Sequence, residues 1–439
     1  FFKQKTAYEI RNCDWSSDVC SSDLKFQHRS SIFLLLRKLN STIKMSAFEL
    51  DAETIAVIKA TAPVVAEHVN EITTLFYKTM FANNPEVKAF FNSRNQAGGN
   101  QPKALAASVV AYALNIDNLG AIADAVKLIT TKHCGLQVLP EHYPIVATNL
   151  MKAVGEVLGA AVTPEIGAAW SKAVNCLAKI LIDEEELLYQ QMESRSGGFR
   201  GWKQFKVSAI TQVSPDVKTF TFEPPADVTG PFDFTPGMYL SVKVDPIPGE
   251  LTAPRHYTIT SKPGENFLQC SVKKLDGGVV STYLHDVLQE GMLVDISPPS
   301  GSFTMAEGTD GRVLISAGVG MTPMKAFLSA LCTEGNAYGH CVKAVHVDKG
   351  ESSVPFKTFF EANNVGKNTF YYSGNQSESR PDAAAIAATL VADVGLNNQF
   401  YLCGPPLFMH GIAKGLKNNK VSGDNIHWEA FGPQLSCPV

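Results

Sequence analysis

The sequence is short of everything that would tie it to a polyanion, a bilayer or an oxidising compartment. Its 38 basic and 42 acidic residues leave a formal net charge of only −4, so it lacks the basic excess that nucleic-acid binding demands. No uninterrupted apolar run approaches the ~18 residues that would span a bilayer. The nine cysteines are odd in number and include no CxxC pair, which argues against a disulfide framework and a structural zinc site. What is present is an ordinary globular composition, 45% hydrophobic and 18% charged, over 439 residues. At roughly 100–200 residues per domain, that length predicts about three domains. The expectation is a soluble, cytoplasmic, multidomain protein with no nucleic-acid or membrane partner.

The first residues do not read like the rest. Residues 1–24 mix Cys13, Trp15 and Cys20 with polar residues at no structural period, resemble a translated sequencing-adapter fragment, and are set aside from fold reasoning. Residues 25–44 are basic without an acid (Lys25, Arg29, Arg37, Lys38, Lys44). They are expected to be upstream read-through before a start at Met45. The alternative is a mitochondrial transit peptide, which would move the protein out of the cytoplasm.

Residues 45–192 predict an all-α domain. Phe76–Phe81, Ala104–Leu114, Ala121–Cys134, Ile145–Leu158 and Ile166–Met192 place apolar residues at i, i+3 and i+4, and Pro63, Pro85, Gly98-Gly99, Gly135 and Pro164 read as helix boundaries. Two polar residues occupy apolar positions. The stripe Ile122, Val126, Ile129 continues into His133, with Gly135 expected to end the helix. The stripe Val174, Leu177, Leu181 continues into Glu185, then Leu188. A buried carboxylate is costly unless hydrogen-bonded or paired. Tyr143, at a new helix start, offers a hydroxyl that could satisfy Glu185, and either group could fix the ring of a metal-bound His133. The blander alternative is a hydrogen-bonded core histidine.

Lys132-His133, Tyr143 and Glu185, with Phe76-Tyr77 and Phe91 upstream, resemble the globin domain of a flavohaemoglobin, and the similarity extends from Met45 to Val439. The resemblance implies that His133 is the proximal ligand of a haem b iron, with Tyr143 and Glu185 as its hydrogen-bonded partner pair. It implies Tyr77 as the distal hydroxyl for dioxygen, Gln101 and Leu105 as the rest of the distal pocket, Phe91 on the porphyrin face, and Lys132 among the cofactor-binding residues. Phe91 and Leu105 could equally be plain core, and Gln101, before Pro102, a surface residue. An anionic group behind the proximal imidazole favours oxygen activation over oxygen carriage.

A polar, glycine-rich linker covers residues 193–199, and beyond it the period changes to two. Gln204–Thr211, Val217–Glu223, Met238–Val244, Tyr257–Thr260 and Phe267–Lys273 predict an antiparallel barrel over residues 200–309. Arg255 and Tyr257 share a strand face; a guanidinium suits a pyrophosphate, a tyrosine ring can stack on an isoalloxazine, and Thr258 adds a hydroxyl. Gly277-Gly278 heads a helix containing Ser281, where backbone N–H groups can meet a phosphate. With Pro236-Gly237-Met238-Tyr239, these resemble the FAD domain of the ferredoxin-reductase superfamily. The resemblance implies that Tyr239, Arg255, His256, Tyr257, Thr258, Gly278 and Ser281 hold FAD, Thr258 replacing the commoner serine.

Residues 310–439 predict a parallel α/β sheet. Arg312–Ala317 is a buried-strand run followed by Gly318-Val319-Gly320-Met321-Thr322-Pro323, with Thr322 suited to an N-cap and Pro323 to N1 of a helix. Strands at Val342–Val347, Thr369–Tyr372 and Gln399–Cys403 alternate with helices. Cys403-Gly404-Pro405 forms a second turn on the edge where open sheets bind ligands. These features resemble the superfamily's NAD(P) domain, and the tail Glu429-Ala430-Phe431-Gly432-Pro433 resembles the ending that caps the flavin, with Phe431 as the ring contact. Met321 and Ala430 depart from the usual Gln and Cys. Asp348 and Lys349 argue in opposite directions on NADH against NADPH, and the choice stays open.

Helix domain, flavin barrel and nicotinamide sheet make an electron path in one chain. The resemblance implies a monomeric nitric oxide dioxygenase that oxidises NO with O2 to nitrate at the expense of NAD(P)H. The alternatives are a ferric, flavin or peroxide reductase with the globin as relay, and an O2- or NO-sensing haem protein.

Overall fold

The computed structural model describes residues 50–91, 100–364, 366–374 and 381–431, with the side chains of residues 100 and 101 outside that description. Among the described residues, five long helices come first: α1 (Ala52–Asn83), α2 (Asn100–Leu114), α3 (Ala123–Leu136), α4 (Tyr143–Leu158) and α5 (Pro164–Ser194), with a 3-10 turn at Pro85–Phe90. In α1, Ile58, Val65, Ile72, Phe76 and Met80 are buried, the stripe that helical period requires.

Pro63 does not end a helix; it lies inside α1. A proline there removes one ladder bond and crowds the carbonyl four residues back. Pro63 and Lys59, whose carbonyl loses its partner, are both on the exposed face, where water can take over. The apolar stripe therefore continues past the break.

Gly135 does not end α3 either. The helix closes on Gln137, which adopts φ 59°, with Gln137 N–H donating to Cys134 O (3.0 Å) and Val138 N–H to His133 O (3.0 Å). That is a Schellman closure with a non-glycine residue in the left-handed position. The Gln137 side chain makes it tolerable by donating Nε2–H to the same Cys134 carbonyl at 2.6 Å.

An antiparallel sheet follows: β1 (Lys203–Ser214), β2 (Val217–Glu223), β3 (Tyr239–Lys243), β4 (Arg255–Thr258), β5 (Leu268–Lys273) and β6 (Leu293–Ile296), with α6 (Val279–Asp286) between the last two. The order is β4-β3-β6-β1-β2-β5, and a bridge between Ile259 and Cys270 joins the two ends into a barrel. Phe205, Val207, Phe220, Phe222, Leu240 and Ile259 fill it. The short strand β6, with its single alternation Val294/Ile296, is the one the sequence pattern does not announce.

The glycines of the connecting segment are there for packing. A Cβ on Gly198 would lie 2.2 Å from Met192 O, and Asp233 N–H donates to Ser196 O at 2.9 Å, so the segment is fastened to the barrel.

The third region is a parallel sheet: β7 (Gly311–Ala317), α7 (Met321–Leu331), β8 (His340–Asp348), α8 (Lys357–Asn363), β9 (Asn368–Tyr372), α9 (Ala383–Val394), β10 (Asn398–Cys403), α10 (Pro406–Asn418) and β11 (Ile426–Glu429). Its order is β11-β10-β7-β8-β9. Every residue of the central strand β7 is buried, α7 covering one face and α9 with α10 the other. The expected fold class is the observed one: helical domain, antiparallel barrel, parallel α/β sheet. No described helix is long and apolar enough to cross a membrane.

The contacts divide into two compact units. One comprises the described residues up to Pro85 with Gln101–Lys127 and Leu139–Glu184; the other comprises Glu86–Asn100, Leu128–Val138 and the chain from Glu185 onward. The last turns of α3, carrying His133, thus belong with the barrel and sheet.

Candidate functional site

His133 and Glu185 come together. The His133 Nδ1 is 2.7 Å from Glu185 Oε1, and Glu185 is only 2% exposed. A carboxylate accepts here, so Nδ1 carries the proton and the Nε2 nitrogen bears the lone pair, the tautomer in which a histidine can ligate a metal. About a third of the His133 side chain is open (32%), while its neighbour Cys134 is fully buried. No group of three or more His, Cys, Asp or Glu converges on a common point among the described residues. A single imidazole backed by a carboxylate suits an iron that brings four nitrogens of its own.

Of the other globin-side candidates, Tyr77, Gln101, Leu105 and Tyr143 lie in the first unit and Phe91 in the second. Tyr77 is buried on α1, 4.8 Å edge-on to Phe76 and 5.7 Å from Phe81 by ring centroids. Tyr143 is the buried first residue of α4, Leu105 is half-buried on α2, and Phe91, half-buried, follows the 3-10 turn. Gln101 is in the first turn of α2, and its side chain lies outside the described residues.

On the barrel, β3 and β4 pair so that Tyr239 opposes Thr258 and Leu240 opposes Tyr257. Arg255 and Tyr257 are half-buried on one face, as alternation demands. The Arg255 guanidinium donates to the carbonyls of Ala253 and Pro254 (the latter at 3.3 Å) and to no carboxylate among the described residues. Burial lowers its pKa. A half-buried cation bonded only to neutral carbonyls suits an anionic ligand. His256, on the other face of β4, packs beside Tyr239 (ring centroids 4.5 Å) with Nδ1 2.7 Å from Ser241 Oγ. Gly278 precedes the first residue of α6, and Ser281 Oγ accepts from Leu275 N–H at 3.1 Å, fixing that turn.

In the sheet, the two glycine turns touch. A Cβ on Gly320 would lie 2.2 Å from Cys403 O, so the turn after β7 packs directly on Cys403-Gly404 after β10. Gly318, Val319 and Gly320 form a 3-10 turn, and α7 begins at Met321. Thr322 is not the N-cap: it sits inside the first turn, donating its hydroxyl to Val319 O at 3.0 Å, and Pro323 is the third residue of the helix rather than the first. Met321 and Cys403 are buried, and burial pushes the Cys403 thiol pKa well up. Pro405 precedes α10.

Glu429 ends β11 in register with Cys403. Burial pushes its carboxyl up to about 7, partly offset by the charge of Lys132, and burial lowers the pKa of half-buried Lys132, with Glu429 opposing. Ala430 is half-buried and Phe431 54% exposed, while Gly432 and Pro433 lie outside the described residues.

Residues 74–181 match the Globin family, and residues 204–305 match the Oxidoreductase FAD-binding domain family. A Flavohemoprotein of Bacillus subtilis is 36% identical over 398 residues, covering 88% of this chain and 98% of that protein. One from Bordetella pertussis is 38% identical over 403 residues, covering 87% and 98%. The chain belongs to the flavohaemoprotein family.

The likeness extends to three dimensions. The crystal structure of a flavohemoglobin from Malassezia yamatoensis, with bound FAD and heme, superposes with a TM-score of 0.75 at 27% identity, covering 87% of this chain and all (100%) of that one. This flavohaemoprotein is therefore an oxidoreductase whose cofactors are haem and FAD, with a parallel sheet of the NAD(P)-binding kind. The pair His133–Glu185, the Arg255 cation and the touching glycine turns are compatible with those three groups.

Sequence reasoning missed Ser300 and Thr131. Ser300 is 1% exposed and donates its hydroxyl to Thr131 O at 3.0 Å, as does Tyr239 at 3.2 Å. The only signal was the turn Pro298-Pro299-Ser300-Gly301 after β6, which marks a bend but not what it touches.

Proposed function

We propose that this flavohaemoprotein is a nitric oxide dioxygenase: two NO and two O2, with one NAD(P)H, give two nitrate ions, NAD(P)+ and one proton. The observation that carries the reading is the buried carboxylate of Glu185 on His133 Nδ1 at 2.7 Å. A carboxylate there makes the imidazole a stronger donor than a backbone carbonyl would, which supports oxygen activation rather than reversible carriage.

When bound, FAD supplies two-electron and haem one-electron redox chemistry. The chain's own residues do the rest. His133 would hold the iron through Nε2 while Glu185 keeps the Nδ1 proton and fixes the ring. Tyr143, the buried first residue of α4, would serve as the hydroxyl partner that the family resemblance implies. Tyr77, buried beside Phe76 and Phe81, would offer a hydroxyl donor for dioxygen, with Gln101 and Leu105 as the other distal residues and Phe91 as the porphyrin contact that the family resemblance implies. Arg255, with Gly278 and Ser281, would take the FAD pyrophosphate, with Tyr239, His256, Tyr257 and Thr258 around the flavin. Gly318–Pro323, Cys403–Pro405 and the Glu429–Pro433 tail would orient the nicotinamide nucleotide. Lys132 and Glu429, whose charges act on each other, would lie between the haem and flavin sites.

Isotope analysis of the product tests the reading. Protein loaded with haem and FAD, turning over NO under 18O2, should release nitrate carrying two labelled oxygens. Unlabelled nitrate, or nitrous oxide as the main product, would overturn it.

A further inference from the structure

The Thr131 carbonyl accepts from two hydroxyls of the barrel. Tyr239 Oη donates to it at 3.2 Å and Ser300 Oγ at 3.0 Å, both contacts buried. Thr131 is two residues before His133 on α3, and its carbonyl is the one to which Gly135 donates in the helix ladder. A carbonyl has two lone pairs, so one can serve the helix while the two barrel hydroxyls share the other.

The two donors are themselves locked. Tyr239 N–H donates to Ser300 O at 2.6 Å and Ser300 N–H to Tyr239 O at 2.8 Å, a two-bond bridge outside the regular strands. The helix approaches closely because residue 135 has no side chain: a Cβ there would lie 2.8 Å from the Tyr239 ring and 3.3 Å from His256. Thr131 is 6% exposed and Ser300 1%, so neither bond competes with solvent. Two hydroxyls on one carbonyl and one backbone approach thus fasten the turn that carries His133 to the strand that carries Tyr239.

We propose that Ser300 is a positioning residue, holding the last turns of α3 against the barrel and so setting the separation that electrons cross from flavin to haem. This rests on reading the chain as a flavin-to-haem electron carrier, but not on NO being the final substrate. Tyr239 cannot be tested cleanly because it also belongs to the flavin site. Ser300 can: removing its Oγ leaves the backbone bridge to Tyr239 in place.

The test uses the full chain with haem and FAD, as Ser300→Ala and Ser300→Thr. Under carbon monoxide without oxygen, stopped-flow mixing with NAD(P)H separates flavin reduction from haem reduction. Hydrogen–deuterium exchange over residues 128–138 reads the helix without any turnover. In Ser300→Ala, flavin reduction and NAD(P)H–ferricyanide activity should match the parent, haem reduction should slow severalfold, and exchange over 128–138 should quicken by about tenfold, the effect of losing one buried hydrogen bond. Ser300→Thr, which keeps the hydroxyl, should recover both. Unchanged haem reduction in Ser300→Ala overturns the proposal, as does an equal loss of flavin and haem reduction, or slowed haem reduction with unchanged exchange. Should the parent reduce its haem quickly yet consume no NO, the dioxygenase reading falls while the role of Ser300, if the variants behave as stated, stands.

Discussion

The His133 Nδ1 and the Glu185 Oε1 are 2.7 Å apart, joining α3 to the seventh turn of α5 through a carboxylate that is 2% exposed. Glu185→Gln keeps an acceptor oxygen but removes the charge, so it separates orientation from basicity. We expect haem to stay bound, with affinity lowered by about 10–100-fold, the range for partners that orient a metal ligand. The iron–histidine stretching frequency in resonance Raman should fall, NO turnover should slow, and flavin reduction by NAD(P)H should be unchanged. A parental iron–histidine frequency would show that the charge does not reach the metal ligand.

Gly320 packs against the carbonyl of Cys403, where a Cβ would sit at 2.2 Å. Its φ of −60° suits any residue, so the demand for glycine is steric alone. Gly320→Ala should cost about 1–3 kcal/mol of stability, as overpacking does, because backbone on the far side cannot turn away like a side chain. Nicotinamide nucleotide binding should weaken with it, read from the concentration dependence of flavin reduction. Parental urea stability and nucleotide affinity together would mean that the two turns can separate freely.

Arg255 donates only to backbone carbonyls in the described structure, and burial already lowers its pKa. Arg255→Ala should therefore lower FAD occupancy in purified protein while the Soret absorbance of the haem is unchanged. Stoichiometric flavin in the variant would count against a phosphate partner for this guanidinium.

Lys325 on α7 donates to the carbonyl of Thr260 in the barrel and lies 5.4 Å from the Phe359 ring. Burial, with a contribution from Lys262 opposed by Glu265, lowers its pKa to about 8 from an ordinary 10.5. Between those values the unfolded chain holds a proton that the folded chain has released, so raising the pH through that window favours the fold. The cost of keeping Lys325 charged is complete below about 8 and relieved above it. The stability of the parent relative to Lys325→Met should accordingly rise from pH 8 toward pH 10.5, measured by urea denaturation at each pH. A flat difference across that range would mean that Lys325 titrates normally.

Much of this architecture can be read from periodicity. The helical period over Phe76–Phe81, the alternation through Phe220 and Phe222, and the fully buried run of β7 are local signals, and each resolves into the expected element. What escapes is decided by partners distant in sequence. Gly135 reads as a helix stop, yet it is small because the Tyr239 ring packs on it, and the stop falls to Gln137 in a left-handed turn that its own amide stabilises. Pro63 reads as a break, but its exposed face lets α1 continue. Ser300 meets Thr131 across 169 residues, a separation at which no periodic pattern survives. Thr322 reads as an acceptor at a helix start by composition, whereas its hydroxyl donates backward to Val319.

The most direct test of nitric oxide dioxygenation is NO decay at an electrode, in air-saturated buffer, with haem- and FAD-loaded protein and NAD(P)H. We expect many NO consumed per protein, with consumption ceasing when oxygen is withdrawn. A single stoichiometric uptake of NO, with NAD(P)H oxidation continuing unaffected, would contradict the dioxygenase and mark the chain as a reductase with another acceptor.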